Sequence, residues 1–323
     1  MIDDIVFISQ ITIKSSIGVL FAATGEIFAE KSGILNLGVE GMMLAGALIG
    51  AAIGLAGGPP LLALGGGMLA GAVLAMLHAF FCITLRANQT LSGLAIAILG
   101  GGLSNFLGRP IIGEVGIRLR GVPIPYLSDI PFIGDIFFNQ SLLVYLAYII
   151  IPLSSYILFH TRTGLKIRAV GEDAVSADAI GINVTLIRYC CTVFGGVMAG
   201  LGGCYLSLAY TPGWKENMTA GQGWIAIAMV IFSLWSPYRA VLGALLFGGL
   251  TALQFFFQAT GTELIPVYIL LMLPYLLTIG VLVIVMRLKR AGQGGRAPGC
   301  LGVPFSREGS IMIFQPPNKG VGK

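Results

Sequence analysis

The chain has 323 residues, 56% of them apolar and only 10% charged, with a mean hydropathy of +0.91. Soluble domains carry about 25% charged residues, so a soluble enzyme built on one large core is excluded and a polytopic membrane protein is implied. The net charge of +5 is not gathered into a basic stripe interleaved with aromatics, which argues against nucleic acid as a partner.

A helix that crosses the bilayer needs about 20 apolar residues, which leaves room for roughly eight to ten spans. The apolar runs are continuous rather than alternating, so the expected fold is all-α and not a β-barrel. The 47 glycines lie in these runs beside alanine, as expected where helix backbones approach closely. In chain order the spans fall at about 5–28, 33–56, 60–85, 90–107, 141–160, 188–210, 218–235, 239–258 and 264–286, about nine transmembrane helices. The second starts with polar Asn36 and Glu40 and the seventh is short, so both are candidates for a broken or partly re-entrant segment. Asp3 and Asp4 stand where a signal peptide would carry positive charge, so no cleavable leader is expected. Cys82, Cys190, Cys191, Cys204 and Cys300 show no metal spacing and no disulfide framework.

Positive charge sets the expected orientation. With the N-terminus outside, the inner segments hold Lys31, Arg86, Arg162, Lys166, Arg168, Arg188, Arg239, Arg287, Lys289, Arg290, Arg296, Arg307, Lys319 and Lys323. The outer segments hold only Arg109, Arg118, Arg120 and Lys215, and Lys14 lies within the first span. The expected organisation is a membrane domain over 1–287 and a basic Gly/Pro-rich cytoplasmic tail over 288–323. The membrane domain includes an external loop at 108–140, with a short surface helix, and a cytoplasmic segment at 161–187. The tail has no periodicity and is expected to be mobile.

An internal repeat is indicated. Gln89–Ile98 is similar to Gly221–Met229, and Met68-Leu69-Ala70-Gly71 to Val197-Met198-Ala199-Gly200, at one offset of about 130 residues. The paired spans are three apart, so the two units would be inverted, a pattern of transporters with a pathway at the repeat interface. Chance matching of Ala/Gly-rich helices is the competing explanation.

No G-x-x-x-x-G-K-[ST] loop is present, so nothing here would cradle ATP phosphates. The two histidines, His78 and His160, have no nearby carboxylate in sequence and no metal-ligand spacing. His78 reads as a hydrogen-bonded packing histidine, with a proton relay as the competing reading, and His160 as an interfacial one; no nucleophile with a base can be named. Intramembrane acids are the next candidates, because a carboxylate at membrane depth is costly. Glu26 ends the first span and Glu40 lies in the second. Glu26 and Glu30 are four apart, as are Asn36 and Glu40, which would put each pair on one helix face. Glu30 is placed to meet Lys31 or water. Asn88, Gln89 and Asn105 flank the fourth span, while Gln222 and Trp224 open the seventh. Amides and an aromatic ring can hold a polar ring-bearing solute by hydrogen bonds and stacking. The competing readings are ties within a broken helix for the acids, and interfacial anchoring for Trp224, Trp214 and Trp235. The candidate pathway set is Glu26, Asn36, Glu40, Asn88, Gln89, Gln222 and Trp224.

The segment after the fifth span is the most distinctive. Asp173 is placed to cap a helix of about seven residues, with Glu172 near its positive end and Gly181 at the C′ position. So short a helix is unstable alone, which suggests an element that docks on a partner.

The pattern Gly164-Leu165, Arg168-Ala169-Val170-Gly171-Glu172, Ala177, Gly181-Ile182-Asn183, followed by Gly195–Gly203, resembles the coupling segment of type II ABC importer permeases. These form the branched-chain amino acid/ribose permease family. The run Gly25-Glu26, Ala29-Glu30-Lys31-Ser32-Gly33, Asn36–Met42 resembles its nucleoside/simple-sugar branch. The resemblance covers roughly residues 10–290. One departure is Asp173-Ala174, where members often carry Asn-Pro. The resemblance implies a transport subunit rather than an enzyme, without cofactor or metal, in the bacterial plasma (inner) membrane. It implies a separate cytoplasmic ABC ATPase docking on Gly171, Glu172, Asp173, Ala177 and Gly181, a second permease subunit, often paralogous, and an extracellular or periplasmic solute-binding protein. Function would be ATP-driven import of nucleosides or related simple sugars by alternating access. The alternative is an ion-coupled secondary transporter with Glu40 as its ion site.

Overall fold

The structure is a computed structural model that describes residues 2–259, single positions between 272 and 287, and residues 297–306. α1 (Ile2–Lys31) is one continuous helix of 30 residues, about 45 Å long at 1.5 Å per residue. It stops at Gly33, whose φ of +93° turns the chain. α2 (Val39–Leu55) follows an irregular stretch, and α3 (Pro60–Ala79) starts with proline in its first turn, where the missing N–H is no loss. α3 runs on into a π-helical turn at Phe80–Thr84. α4 (Gln89–Gly108) is capped by Asn88, whose side chain accepts the Leu91 N–H at 3.1 Å.

Between α4 and α5 (Leu142–His160) the chain forms a short antiparallel pair, β1 (Gly121–Pro123) with β2 (Asn139–Ser141), and a π turn at Gly134–Phe138. Within 108–140 the helical pieces are single turns, at Arg109–Ile111 and Gly134–Phe138, beside this strand pair. α6 (Arg162–Glu172) and α7 (Ala174–Ala179) lead into α8 (Val184–Tyr205), which ends in a π turn at Leu206–Tyr210. α9 (Gln222–Phe232) and α10 (Pro237–Ala259) complete the described helices.

α8 is the central helix and packs against α1, α2 and α3, while α1 also packs on α10 and α9. Close approach depends on glycine: a methyl group on Gly71 would collide with the Gly196 carbonyl, and one on Gly200 with that of Gly67. Outward-facing apolar side chains such as Leu69, Ile98 and Phe106 suit contact with lipid.

Among the described residues, six helices are long and apolar enough to cross a membrane: Asp4–Lys31, Pro60–Thr84, Gln89–Ile111, Leu142–His160, Val184–Tyr210 and Pro237–Ala259. α2 and α9 are shorter apolar helices, matching the second and seventh expected spans. The ninth, 264–286, lies outside the described residues apart from single positions. The second expected span is corrected at its start. Helix begins at Val39 rather than near 33, so Asn36 and Glu40 do not share a helix face. Of the expected tail 288–323, residues 297–306 are described and lie packed against α6–α8; the rest lies outside the described residues. All five cysteines are free.

Candidate functional site

Two regions gather the residues that sequence singled out. The first is the α6–α7 segment. The Thr161 hydroxyl caps α6 by accepting the Gly164 N–H at 3.1 Å. Gly171 sits so close to the Lys31 carbonyl that no side chain would fit there. At Asp173 the backbone turns extended, and its Oδ1 accepts the N–H groups of Val175 at 3.0 Å and Ser176 at 3.1 Å. The Ser176 hydroxyl donates to Oδ2. That hydroxyl, followed by the backbone N–H groups, holds the Asp173 carboxyl below the usual carboxylate range. α7 closes at Gly181, with φ +86°, where Gly181 N–H reaches Asp178 O at 2.9 Å and Ile182 N–H reaches Ala177 O at 3.1 Å.

Ala174 and Ala177 turn inward onto Val170 and Val184, forming a small core of their own. Val175 and Ile180 stand 50% and 75% exposed. All five residues singled out here, Gly171, Glu172, Asp173, Ala177 and Gly181, therefore belong to one doubly capped unit that shows apolar side chains outward.

The second region is the irregular stretch between α1 and α2. Backbone groups left unpaired at membrane depth are costly, and side chains supply their partners. Glu26 Oε1 accepts the Asn36 N–H at 3.0 Å, and Gln89 Oε1 accepts the Leu35 N–H at 2.8 Å. His78 Nε2 lies 3.2 Å from Leu35 O, and its Nδ1 lies 3.0 Å from Ser92 Oγ. Asn36 Oδ1 accepts the Gly38 N–H at 2.9 Å. One loop is thus held by α1, α3 and α4 together. Glu26 Oε2 and Gln89 Nε2 are buried and have no hydrogen-bond partner among the described residues.

Glu40 reaches across to the start of α9. Its Oε1 accepts the Thr219 hydroxyl at 2.5 Å and the Gly221 N–H at 2.9 Å, and its Oε2 accepts the Gly223 N–H at 2.7 Å. A carboxylate from another helix thereby does the work of an N-cap, and it faces the positive end of the α9 dipole. Gln222 is half-buried, with Oε1 buried and unpartnered among the described residues, and Trp224 is 40% exposed. Asn88, exposed, serves as the α4 cap. The structure brings Glu26, Asn36 and Gln89 onto one loop and puts Glu40 at the α9 entry. Asn88 caps α4 instead, and Trp224, in the first turn of α9, is exposed.

Several polar residues make contacts that were not anticipated. Glu30 is buried and accepts the Trp235 Nε1–H at 2.6 Å, beside its electrostatic interaction with Lys31. The Lys31 ammonium lies 5.6 Å from the centre of the Trp235 ring. Trp214 and Trp235 are each 2% exposed, so neither is an interfacial anchor. Arg188 is 2% exposed. Its guanidinium donates to Ser32 O at 3.2 Å through Nε and to Val303 O at 3.1 Å through Nη1. In sequence it was counted only among the inner positive charges. At the far end of α1 and α8 lies a cavity of about 550 Å³ lined by Lys14, Arg118, Arg120, Gln140, Tyr205 and Tyr210, among others. Among the described residues no group of three or more His, Cys, Asp or Glu is placed to hold a metal.

The chain matches the family described as branched-chain amino acid transport system / permease component over residues 7–286. It is 42% identical over 259 residues to "Putative glucose ABC transporter permease protein TsgC13" of Haloferax volcanii, covering 79% of each chain. It is 38% identical over 275 residues to the nucleoside ABC transporter permease protein NupC of Lactococcus lactis, covering 81% of this chain and 87% of the relative. It is 36% identical over 329 residues to the guanosine ABC transporter permease protein NupQ of Bacillus subtilis, covering 94% and 98%. No solved structure matches. The chain therefore belongs to the branched-chain amino acid transport system permease family, as a multi-pass plasma-membrane transport component rather than an enzyme.

Proposed function

We propose that this chain is the membrane subunit of an ATP-driven importer for nucleosides or related simple sugars. The observation that carries the reading is the α6–α7 unit. A six-residue helix too short to persist alone is fixed by caps at both ends, and it presents Val175 and Ile180 outward. In this reading Gly171, Glu172, Asp173, Ala177 and Gly181 form the face on which a cytoplasmic ATPase docks. Closure of the ATPase pair moves α7, and the helices joined to it open the pathway to one side and then the other. A second permease subunit and a solute-binding protein complete the assembly.

The names of the relatives support the solute class. Two are permeases for nucleosides and one is named for glucose. The clustering of Arg162, Lys166 and Arg168 on α6 supports an inner location for that end and an outer one for the N-terminus. Paired features support an inverted repeat: α3 and α8 both run on into five-residue π turns, and α4 and α9 follow them. The unspent atoms on Glu26, Gln89 and Gln222 support a place for these three beside the pathway. Asn36, Asn88 and Trp224 have weaker support, the first two being occupied with backbone. Glu40 has both oxygens committed to the α9 entry, which removes the ground for an ion-coupled mechanism built on it.

The test is uptake of radiolabelled guanosine, ribose and glucose by cells that carry the co-encoded ATPase, paired permease and binding protein, with and without this chain. ATP-dependent guanosine uptake that vanishes without the chain is expected. Uptake of ribose or glucose alone would move the solute to free sugars, and uptake abolished by an uncoupler at constant ATP would overturn the mechanism.

A further inference from the structure

The tail segment 297–306 crosses three elements at the α6–α7 end. Its Cys300 N–H donates to Gly171 O at 2.8 Å and its Gly302 N–H to Gly33 O at 3.2 Å. Pro298 is buried. Cys300 and Phe305 pack against the small core of Val170, Ala174, Ala177 and Val184. The Cys300 sulfur accepts the Ala174 N–H at 3.4 Å. From the other side the buried Arg188 guanidinium joins the strap to the end of α1, with Val303 O on Nη1 and Ser32 O on Nε. Gly33 leaves the space the guanidinium occupies, since a Cβ there would stand 2.9 Å from Nη2.

The physical consequence is specific. α7 has six residues and one face of two alanines, which is little apolar surface to hold it. The strap is the outer wall of that core. Without it the Gly171 and Gly33 carbonyls lose their donors, and the buried guanidinium keeps one partner, Ser32 O.

We propose that residues 297–306 are a positioning strap for the ATPase-docking unit: they hold α7 against α6 and α8 and tie that unit to the end of α1, so that force applied to α7 passes into the membrane helices instead of folding the segment aside. This rests on the transport function proposed above. Arg188 is the positioning residue that clamps the strap to α1.

Two variants test it, a chain ending at residue 296 and full-length Gly299→Val. Gly299 has no room for a side chain, because its Cβ would stand 2.6 Å from the Glu172 carbonyl oxygen. The substitution therefore lifts the strap while leaving the chain intact. Undocking is read at Cys300, with Cys190→Ser to remove the exposed thiol, by a membrane-impermeant maleimide on inside-out vesicles. Cys300 is expected to label slowly in the parent and roughly tenfold faster in Gly299→Val. Retention of the co-expressed ATPase is expected to fall roughly tenfold in both variants at unchanged amounts of membrane-inserted chain. A synthetic peptide of residues 297–306 added to the truncated chain is expected to restore it, which a general loss of folding would not allow.

Fast labelling of Cys300 in the parent would overturn the strap. So would full ATPase retention and solute uptake in Gly299→Val once Cys300 labels fast there, with the transport function left standing. If the truncated chain does not accumulate, Gly299→Val decides. A parent that retains no ATPase overturns the transport function, and the strap's role in docking with it.

Discussion

Glu40, in the first turn of α2, sets its carboxylate 2.7 Å from the Gly223 N–H and so caps α9 from a different helix. The two backbones are also in contact. A methyl group on Gly223 would stand 2.5 Å from Glu40 Cα and 2.5 Å from Glu40 N. Glycine is required at that position by the approach of α2, and the approach brings the carboxylate to the cap.

Glu40→Gln should therefore lower transport through stability as well as through any pathway role. An amide offers one oxygen where the carboxylate offers two, so its NH₂ faces either the Thr219/Gly221 pair or the Gly223 N–H. Leaving such a donor unpaired costs about 1–3 kcal/mol. The expected result is a lower melting temperature in detergent together with reduced uptake, and a larger loss for Gly223→Ala. An unchanged melting temperature for both variants would sink the capping account.

Asp173 should be insensitive to pH across the physiological range. Its carboxyl is held below the usual carboxylate value by the Ser176 hydroxyl and the backbone N–H groups. A depressed value in the folded state means the cap contributes fully above the ordinary carboxylate pKa of about 3.9 and is lost only as pH falls through the lowered one. ATPase retention is thus expected to stay level from pH 8 to roughly pH 5 as far as this group is concerned. Asp173→Asn should keep most of it, because the amide oxygen can still accept from Val175 and Ser176, and Asp173→Ala should lose it. Equal retention by the alanine and asparagine variants, measured by co-purification, would show that the cap does not govern docking.

Much of the helix plan was legible because hydropathy records long apolar runs directly. The first eight expected spans each coincide with a helix. The boundaries were not legible where the chain stays apolar while leaving helix. Ile34, Leu35 and Leu37 carry the second span's hydropathy back to residue 33, yet helix begins at Val39. What breaks it is a set of distant acceptors, Glu26 and Gln89, that pay for unpaired N–H groups in the loop. The α7 unit was read closely, because caps are local chemistry: Asp173 and Gly181 announce its two ends. The strap had no signature, since it is held through the backbone carbonyls of Gly171 and Gly33 and through its own Val303 carbonyl on Arg188, none of which a side-chain pattern in the strap reveals. Trp235 was misjudged for a related reason. Its partner Glu30 is 205 residues away, and only the fold brings them together.

The Glu30–Trp235 pair gives the sharpest test of buried polar chemistry here. Trp235 Nε1–H is 2.6 Å from Glu30 Oε2, and the two residues are 2% and 1% exposed. Trp235→Phe keeps a ring beside Lys31 but removes the donor, leaving a buried carboxylate oxygen short of a partner at a cost of about 1–3 kcal/mol, or more if it stays charged. Glu30→Gln in the Trp235→Phe background removes the charge that is stranded. The double variant should therefore melt above Trp235→Phe, although each single change removes a native group. Such a reversal is a coupling energy, and a double-mutant cycle in detergent measures it. Strictly additive losses would mean that the indole N–H and the carboxylate do not depend on each other.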